Sequence, residues 1–220
     1  MSARMEFDNE LEQLHADLVR MGAMVEQSIE KSISALRTEN RELAEMIIHG
    51  DHAVDSMEKT IETRCLKLLL RQQPVARDLR SISTALKIVT DMERIGDQAA
   101  DIADISMHLH SSDVAMIASH LEEMAKEAID MVHASIDAFV RTDMELARQT
   151  IQQDDIVDAL FIQVRDDIIE RIRTDASQAG EAIDVMMVAK YLERIGDHAV
   201  NICEWVEFYT TGEHKNTRIL

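Results

Sequence analysis

The sequence predicts an all-α protein, built as two similar three-helix bundles by internal duplication. The first observation is a repeat: Glu93-Arg94-Ile95-Gly96-Asp97 returns as Glu193-Arg194-Ile195-Gly196-Asp197, with Ala99/Ala199 and Ile102/Ile202 in the same register. A repeated five-residue string holding three charges and a glycine is a mark of duplication. The second is composition. Aromatics at 3%, one proline and six glycines leave little material for sheets and turns, while helix-forming Leu, Ile, Ala, Met, Glu and Arg dominate. The third is apolar periodicity at alternating spacings of three and four. A chain of 220 residues suits two halves of about 110 each, and 46% hydrophobic content is enough for a core in each.

The elements follow in order. From Phe7 to Leu36, Leu11, Leu14, Leu18, Met21 and Val25 mark one face of a first helix. Arg37-Thr38-Glu39-Asn40 reads as a polar break able to cap the next helix. The second helix, about Arg41 to Gln72, carries Ile47, Val54, Met57, Ile61 and Leu68, and Pro74 ends it or opens the third. The third, about Val75 to Leu109, holds a seam of Leu79, Ile82, Leu86, Val89, Glu93, Gly96, Ala100 and Ala103, with Glu93 in a core slot.

His110-Ser111-Ser112-Asp113 reads as the link between halves. The fourth helix runs about Val114 to Val140, and Val140-Arg141-Thr142-Asp143 echoes Leu36-Arg37-Thr38-Glu39. The fifth runs about Met144 to Ile172, Thr174 to Gly180 is a polar loop, and the last helix carries Ala182, Met186, Ala189, Glu193, Gly196, Val200 and Cys203. The expected units are a first bundle over 1–110, a second over 111–212, and a polar tail over 213–220. Helices of about 30 residues, some 45 Å long, pack most simply as antiparallel neighbours joined by short turns.

A formal charge of −19 excludes nucleic acid as a natural partner, because neutralising phosphates needs an excess of Lys and Arg. It also disfavours an anionic membrane surface and favours cations or basic protein surfaces. The start lacks an apolar signal region, and no stretch approaches ~18 apolar residues, so the expectation is a soluble cytoplasmic protein. Cys65 and Cys203 have no metal-type spacing and are weak evidence for a disulfide. Fourteen methionines read as core filler. No arrangement suggests a nucleophile with its base, and no glycine loop suggests a phosphate cradle, so neither catalytic nor cofactor-binding residues are expected.

The chemistry lies in acids four residues apart: Glu93, Asp97 and Asp101, then Glu193, Asp197 and the neutral Asn201. Two carboxylates about 5 Å apart repel by about 3 kcal/mol at an effective dielectric near 20. The second helix adds Asp51, Asp55, Glu58 and Glu62; the fifth adds Asp154 and Asp158, with Phe161 and Arg165 where Glu58 and Glu62 stood. If these stripes face one another, hard cations such as Mg²⁺, Ca²⁺, Mn²⁺ or iron would turn repulsion into binding. The plain alternative is a solvated acidic face, with Arg94 and Arg194 as structural counter-ions and the glycines serving helix approach. His198 reads as a solvated or capping histidine before it reads as a ligand.

Arg71-Gln72-Gln73-Pro74-Val75-Ala76-Arg77-Asp78-Leu79-Arg80, Leu86-Lys87-Ile88 and the doubled Glu-Arg-Ile-Gly-Asp string together resemble the PhoU family. So does the run Tyr191-Leu192-Glu193-Arg194-Ile195-Gly196-Asp197-His198-Ala199-Val200-Asn201-Ile202. The similarity spans about Phe7 to Tyr209. It implies two similar three-helix bundles with multinuclear metal sites at Asp51/Asp55, Glu93/Asp97, Asp154/Asp158 and Glu193/Asp197. Asp101 and Asn201 stand one turn on, and Glu58 lies beside the first set. The ions it implies are divalent or trivalent: iron, zinc, manganese, magnesium or calcium.

The resemblance also implies a cytoplasmic negative regulator of the phosphate-starvation response, commonly a homodimer. Such a protein is an adaptor between the ATPase subunit of the high-affinity phosphate ABC transporter and a sensor histidine kinase. It is peripheral at the inner face of the membrane rather than inserted in it. Two other classes stay open. A di-iron carboxylate redox protein needs a repeated Glu-x-x-His pair, and Glu12-x-x-His15 stands alone here. A metal-free helical scaffold needs no site at all.

Overall fold

The computed structural model describes residues 3–72, 74, 77–110, 118–215 and 217–219. Among the described residues six α-helices make up the fold: α1 (Ala3–Thr38), α2 (Arg41–Gln72), α3 (Arg77–Ser106), α4 (Ala118–Arg141), α5 (Met144–Thr174) and α6 (Ala179–Thr211). The expected link at His110–Asp113 and the expected start of the fourth helix at Val114 fall largely outside the described residues. Of the predicted α1 stripe, Leu14, Leu18, Met21 and Val25 are fully buried and Leu11 packs half-buried against the same core, which Ile29 extends.

Helix ends follow local chemistry. After α1, Glu39 takes a positive φ of 52° and Asn40 Oδ1 accepts the Leu43 N–H at 3.0 Å, capping α2. After α4, Thr142 takes φ 57° and Asp143 Oδ1 accepts the N–H groups of Glu145 and Leu146, capping α5. The repeated turn therefore pairs Glu39-Asn40 with Thr142-Asp143, one residue away from the register expected from Arg-Thr lettering. Cap geometry, not residue identity, sets this alignment, and it is the register that also pairs Asp51 with Asp154.

The polar loop expected over Thr174–Gly180 is shorter than that. Asp175 breaks the chain, a single 3₁₀ turn covers Ala176–Gln178, and Gly180 lies inside α6. Gly212, with φ 79°, ends α6 by donating its N–H to Phe208 O. The tail forms a two-residue hairpin, Glu213–His214 against Thr217–Arg218, with His214 stacked on Trp205 at 3.9 Å. It lies outside the helical core.

The halves do not have separate cores. α1, α3, α6 and α4 form a ring of packed neighbours, with α2 covering α1 and α3, and α5 covering α4 and α6. One continuous apolar core runs through both halves. The α1–α4 contact is close enough that a methyl on Gly22 would collide with Ile136 Cδ1. Consequently the two outer grooves, α2 against α3 and α5 against α6, are the equivalent surfaces of the duplication, and α3 packed on α6 is the seam between them.

Candidate metal centres

Each outer groove brings its acid stripes together. In the first, Asp51 and Asp55 of α2 and Asp97 of α3 each present a carboxylate oxygen, all within 4.8 Å of one another. Glu93, one turn before Asp97, lies at the edge of the core, not inside it, with its side chain 20% exposed. Burial and then Asp97 push its carboxyl up, and burial and then Glu93 push Glu58 up, so both belong to the same electrostatic group. Asp51 sits at the centre: burial first, then Asp97, Asp55 and Glu93, push it up to about 6.

The second groove repeats this. Asp154 is pushed up to about 6 by burial first, then by Asp158, Asp197 and Glu193. The glycines of the repeated string explain how the acids come so close. A methyl on Gly96 would lie 3.1 Å from Asp51 Oδ1, and one on Gly196 would lie 2.9 Å from Asp154 Oδ1. The glycines serve helix approach, as expected, and the atom they admit is the carboxylate oxygen.

These residues fit a cation. Asp154 Oδ1 is buried and has no hydrogen-bond partner among the described residues. A buried acceptor left without a donor costs free energy, and a hard cation bound by carboxylate oxygens removes that cost. The counter-ions present are partial. Arg94 reaches Asp97 at 3.3 Å and Glu93 at 3.5 Å from the exposed rim of the first groove. In the second groove Lys190 pairs with Glu193 and lies 5.5 Å from the Phe161 ring centre. Sequence reasoning does not single out Lys190; its signal is the three-residue spacing before Glu193.

Asp101 and Asn201 face elsewhere. The Tyr191 hydroxyl hydrogen-bonds Asp101, and the charge of Arg194 acts on the same carboxyl. Asn201 Nδ2 donates to Asp91 Oδ1 at 3.3 Å, and His198 Nδ1 lies 2.8 Å from the same oxygen. Both sets cross the α3–α6 seam, and they are equivalent under the duplication: Asp91 with Asn201, Tyr191 with Asp101. His198 is thus a seam residue, neither solvated nor a cap. His15 is also in the core, edge-on to Phe139 at 5.4 Å. Cys65 and Cys203 are free and buried, and burial pushes both thiols up to about 12.

The PhoU domain model matches residues 18–106 and again 121–206, each match ending within or beside one of these motif helices. The chain belongs to the PhoU family. A phosphate-specific transport system accessory protein PhoU homolog of Clostridium acetobutylicum is 38% identical over 208 residues, covering 94% of this chain and 95% of that one. The phosphate-specific transport system accessory protein PhoU of Escherichia coli is 31% identical, covering 94% and 86%. Among solved structures, the phosphate transport system regulatory protein PhoU from Streptococcus pneumoniae matches with a TM-score of 0.87 at 29% identity, covering 94% of this chain and 98% of that one. PhoU from Pseudomonas aeruginosa matches with a TM-score of 0.80 at 32% identity, covering 94% and 100%. Among the described residues no helix is long and apolar enough to cross a membrane.

Proposed function

We propose that this PhoU-family chain is a non-catalytic accessory regulator of phosphate-specific transport whose two outer grooves hold metal. The first site comprises Asp51, Asp55, Glu93 and Asp97 with Glu58 beside them; the second comprises Asp154, Asp158, Glu193 and Asp197. Bound iron, zinc, manganese, magnesium or calcium would supply positive charge that offsets carboxylate repulsion and cross-links neighbouring helices. The observation carrying this reading is the convergence of Asp51, Asp55 and Asp97 on one point, repeated in plan around the unpartnered Asp154 Oδ1. The names of the relatives support the transport link.

The finer reading makes the chain an adaptor, acting as a cytoplasmic homodimer. A protein of this kind regulates by differential binding, favouring one state of a partner over another. Here the partners are the transporter's ATPase subunit and a sensor histidine kinase, which the adaptor holds inactive when phosphate is plentiful. The test is expression from a phosphate-starvation promoter in cells carrying Glu93→Ala/Asp97→Ala at normal protein level. Constitutive expression in phosphate-rich medium supports the adaptor reading through the metal face. Normal repression by a variant shown to hold no metal in its first groove would detach regulation from that groove.

A further inference from the structure

We infer that Lys190 is a built-in counter-ion of the second groove, so that the two halves differ in how tightly and how fully they bind cations. This rests on the metal reading above, and it turns on two positions where the duplication has diverged. Lys190 corresponds to Thr90 of the first half, whose hydroxyl is exposed and donates to its own helix at Leu86 O. Phe161 corresponds to Glu58, which faces Glu93 in the first groove.

Both changes act in the same direction. A carboxylate has become an aromatic ring, and a hydroxyl has become an ammonium that lies near that ring and pairs with Glu193. The first groove gathers five carboxylates, Asp51, Asp55, Glu58, Glu93 and Asp97. The second gathers four, Asp154, Asp158, Glu193 and Asp197, together with one ammonium. With Arg94 counted against Glu93 and Asp97, the first groove carries a net four negative charges against a net three, so the second is one unit less negative.

Arg94 does not cancel this difference. Its side chain is 57% exposed, and its ion pairs are to acids of its own helix, at 3.3 and 3.5 Å. Its counterpart Arg194 is also present, with its charge acting on Asp101 across the seam. The Lys190–Glu193 pair is better shielded, with side chains 37% and 15% exposed, so each charge there is felt more strongly. A cation entering the second groove must therefore compete with the less exposed ammonium already on Glu193, whereas one entering the first competes only with the more exposed guanidinium of Arg94.

The test is Mn²⁺ binding to the full chain, by calorimetric titration and by the electron paramagnetic resonance signal of free Mn²⁺. Lys190→Met is measured in an Asp51→Asn/Asp97→Asn background, which leaves the second groove as the reporter. The expected result is binding about tenfold tighter or more than with Lys190 present, because one repelling charge is gone. Thr90→Lys, at an exposed position, is the reciprocal variant and should weaken the first groove by about as much. Metal-free Lys190→Met should also melt below its parent and be restored by Mn²⁺. Unchanged Mn²⁺ affinity in both variants, or a lowered melting point that Mn²⁺ leaves in place, overturns the inference while wild type still binds. If neither wild type nor any variant retains Mn²⁺, the metal reading itself falls and takes this inference with it. Should Lys190→Met fail to fold, Thr90→Lys decides the matter alone.

Discussion

Gly96 lies against the carboxylate of Asp51, so closely that a methyl group there would stand 3.1 Å from Oδ1 and 3.0 Å from Val54 Cγ1. Gly196 bears the same relation to Asp154, at 2.9 Å. Two glycines in a repeated motif thus set how far each central aspartate enters its groove. Helix propensity alone favours alanine over glycine by about 1 kcal/mol, so retaining glycine at both positions costs stability unless close approach returns it.

Replacing either glycine by alanine therefore sets overpacking against propensity. Forcing a methyl into filled space costs about 1–3 kcal/mol, which exceeds the propensity gain. Gly96→Ala, whose methyl would meet the β-branched Val54 as well as Asp51, is expected to lower stability by about 1 kcal/mol net and to weaken Mn²⁺ retention with helix content unchanged. Urea denaturation, metal content after desalting and circular dichroism measure the three. A variant more stable than wild type, with Mn²⁺ retention intact, contradicts the role assigned to the glycine.

The central aspartates also predict a pH dependence. In the folded chain Asp51 and Asp154 are pushed up to about 6, from an ordinary value of 3.8. A raised carboxyl favours the folded state while protonated. Stability from these groups is fully present below the ordinary value and is lost as pH rises through the folded one. Partial burial pushes His15 down, which acts in the opposite sense, so the clean observable is a difference between variants. In chelator, Asp51→Asn/Asp154→Asn should gain stability over wild type progressively between pH 4 and 6, then hold that gain above. A gap that narrows over that range contradicts the placement of the two carboxyls.

The seam gives a third expectation. Asp91 Oδ1 serves both His198 and Asn201, and its side chain is only 15% exposed. Asp91→Ala leaves both partners unpaired at a half-buried interface, which costs about 1–3 kcal/mol. Because the seam joins the halves, the loss should appear in a single transition of the whole chain in denaturant, not in one half alone. Two separated transitions in the wild type would contradict one shared core.

Much of this was legible in the sequence because helical periodicity and cap chemistry are local. The bounds of α2, Arg41–Gln72, are those the sequence predicts, and α1, Ala3–Thr38, runs a little past its predicted span of Phe7 to Leu36 at both ends. The facing of Asp51 and Asp55 toward Asp97 follows from stripes beside apolar faces. What lay beyond reach were properties of packing between distant segments. The four-residue spacing that puts Asp101 below Asp97 could not reveal that Tyr191 draws it to the seam, or that Asn201 answers Asp91. The burial of α3 on both α1/α2 and α6 makes its apolar surface wider than one seam, which is why Glu93 falls at an edge. The hairpin at 213–218 has too few residues for any periodic signal.

The most direct measurement is the melting temperature of the chelator-treated chain with and without excess Mn²⁺, read beside the metal retained after desalting. Wild type is compared with Asp51→Asn/Asp97→Asn, Asp154→Asn/Asp197→Asn and all four changes together. At a hundredfold excess over the dissociation constant, one bound ion adds about 2.7 kcal/mol, worth about 5–10 °C in a chain of this size. That rise is expected for wild type, a smaller one for each pair, and none for the fourfold variant, whose metal-free form should melt higher than metal-free wild type. A wild type that neither retains Mn²⁺ nor melts higher with it, while its metal-free stability is unchanged by the fourfold substitution, would contradict the claim that these grooves are metal centres.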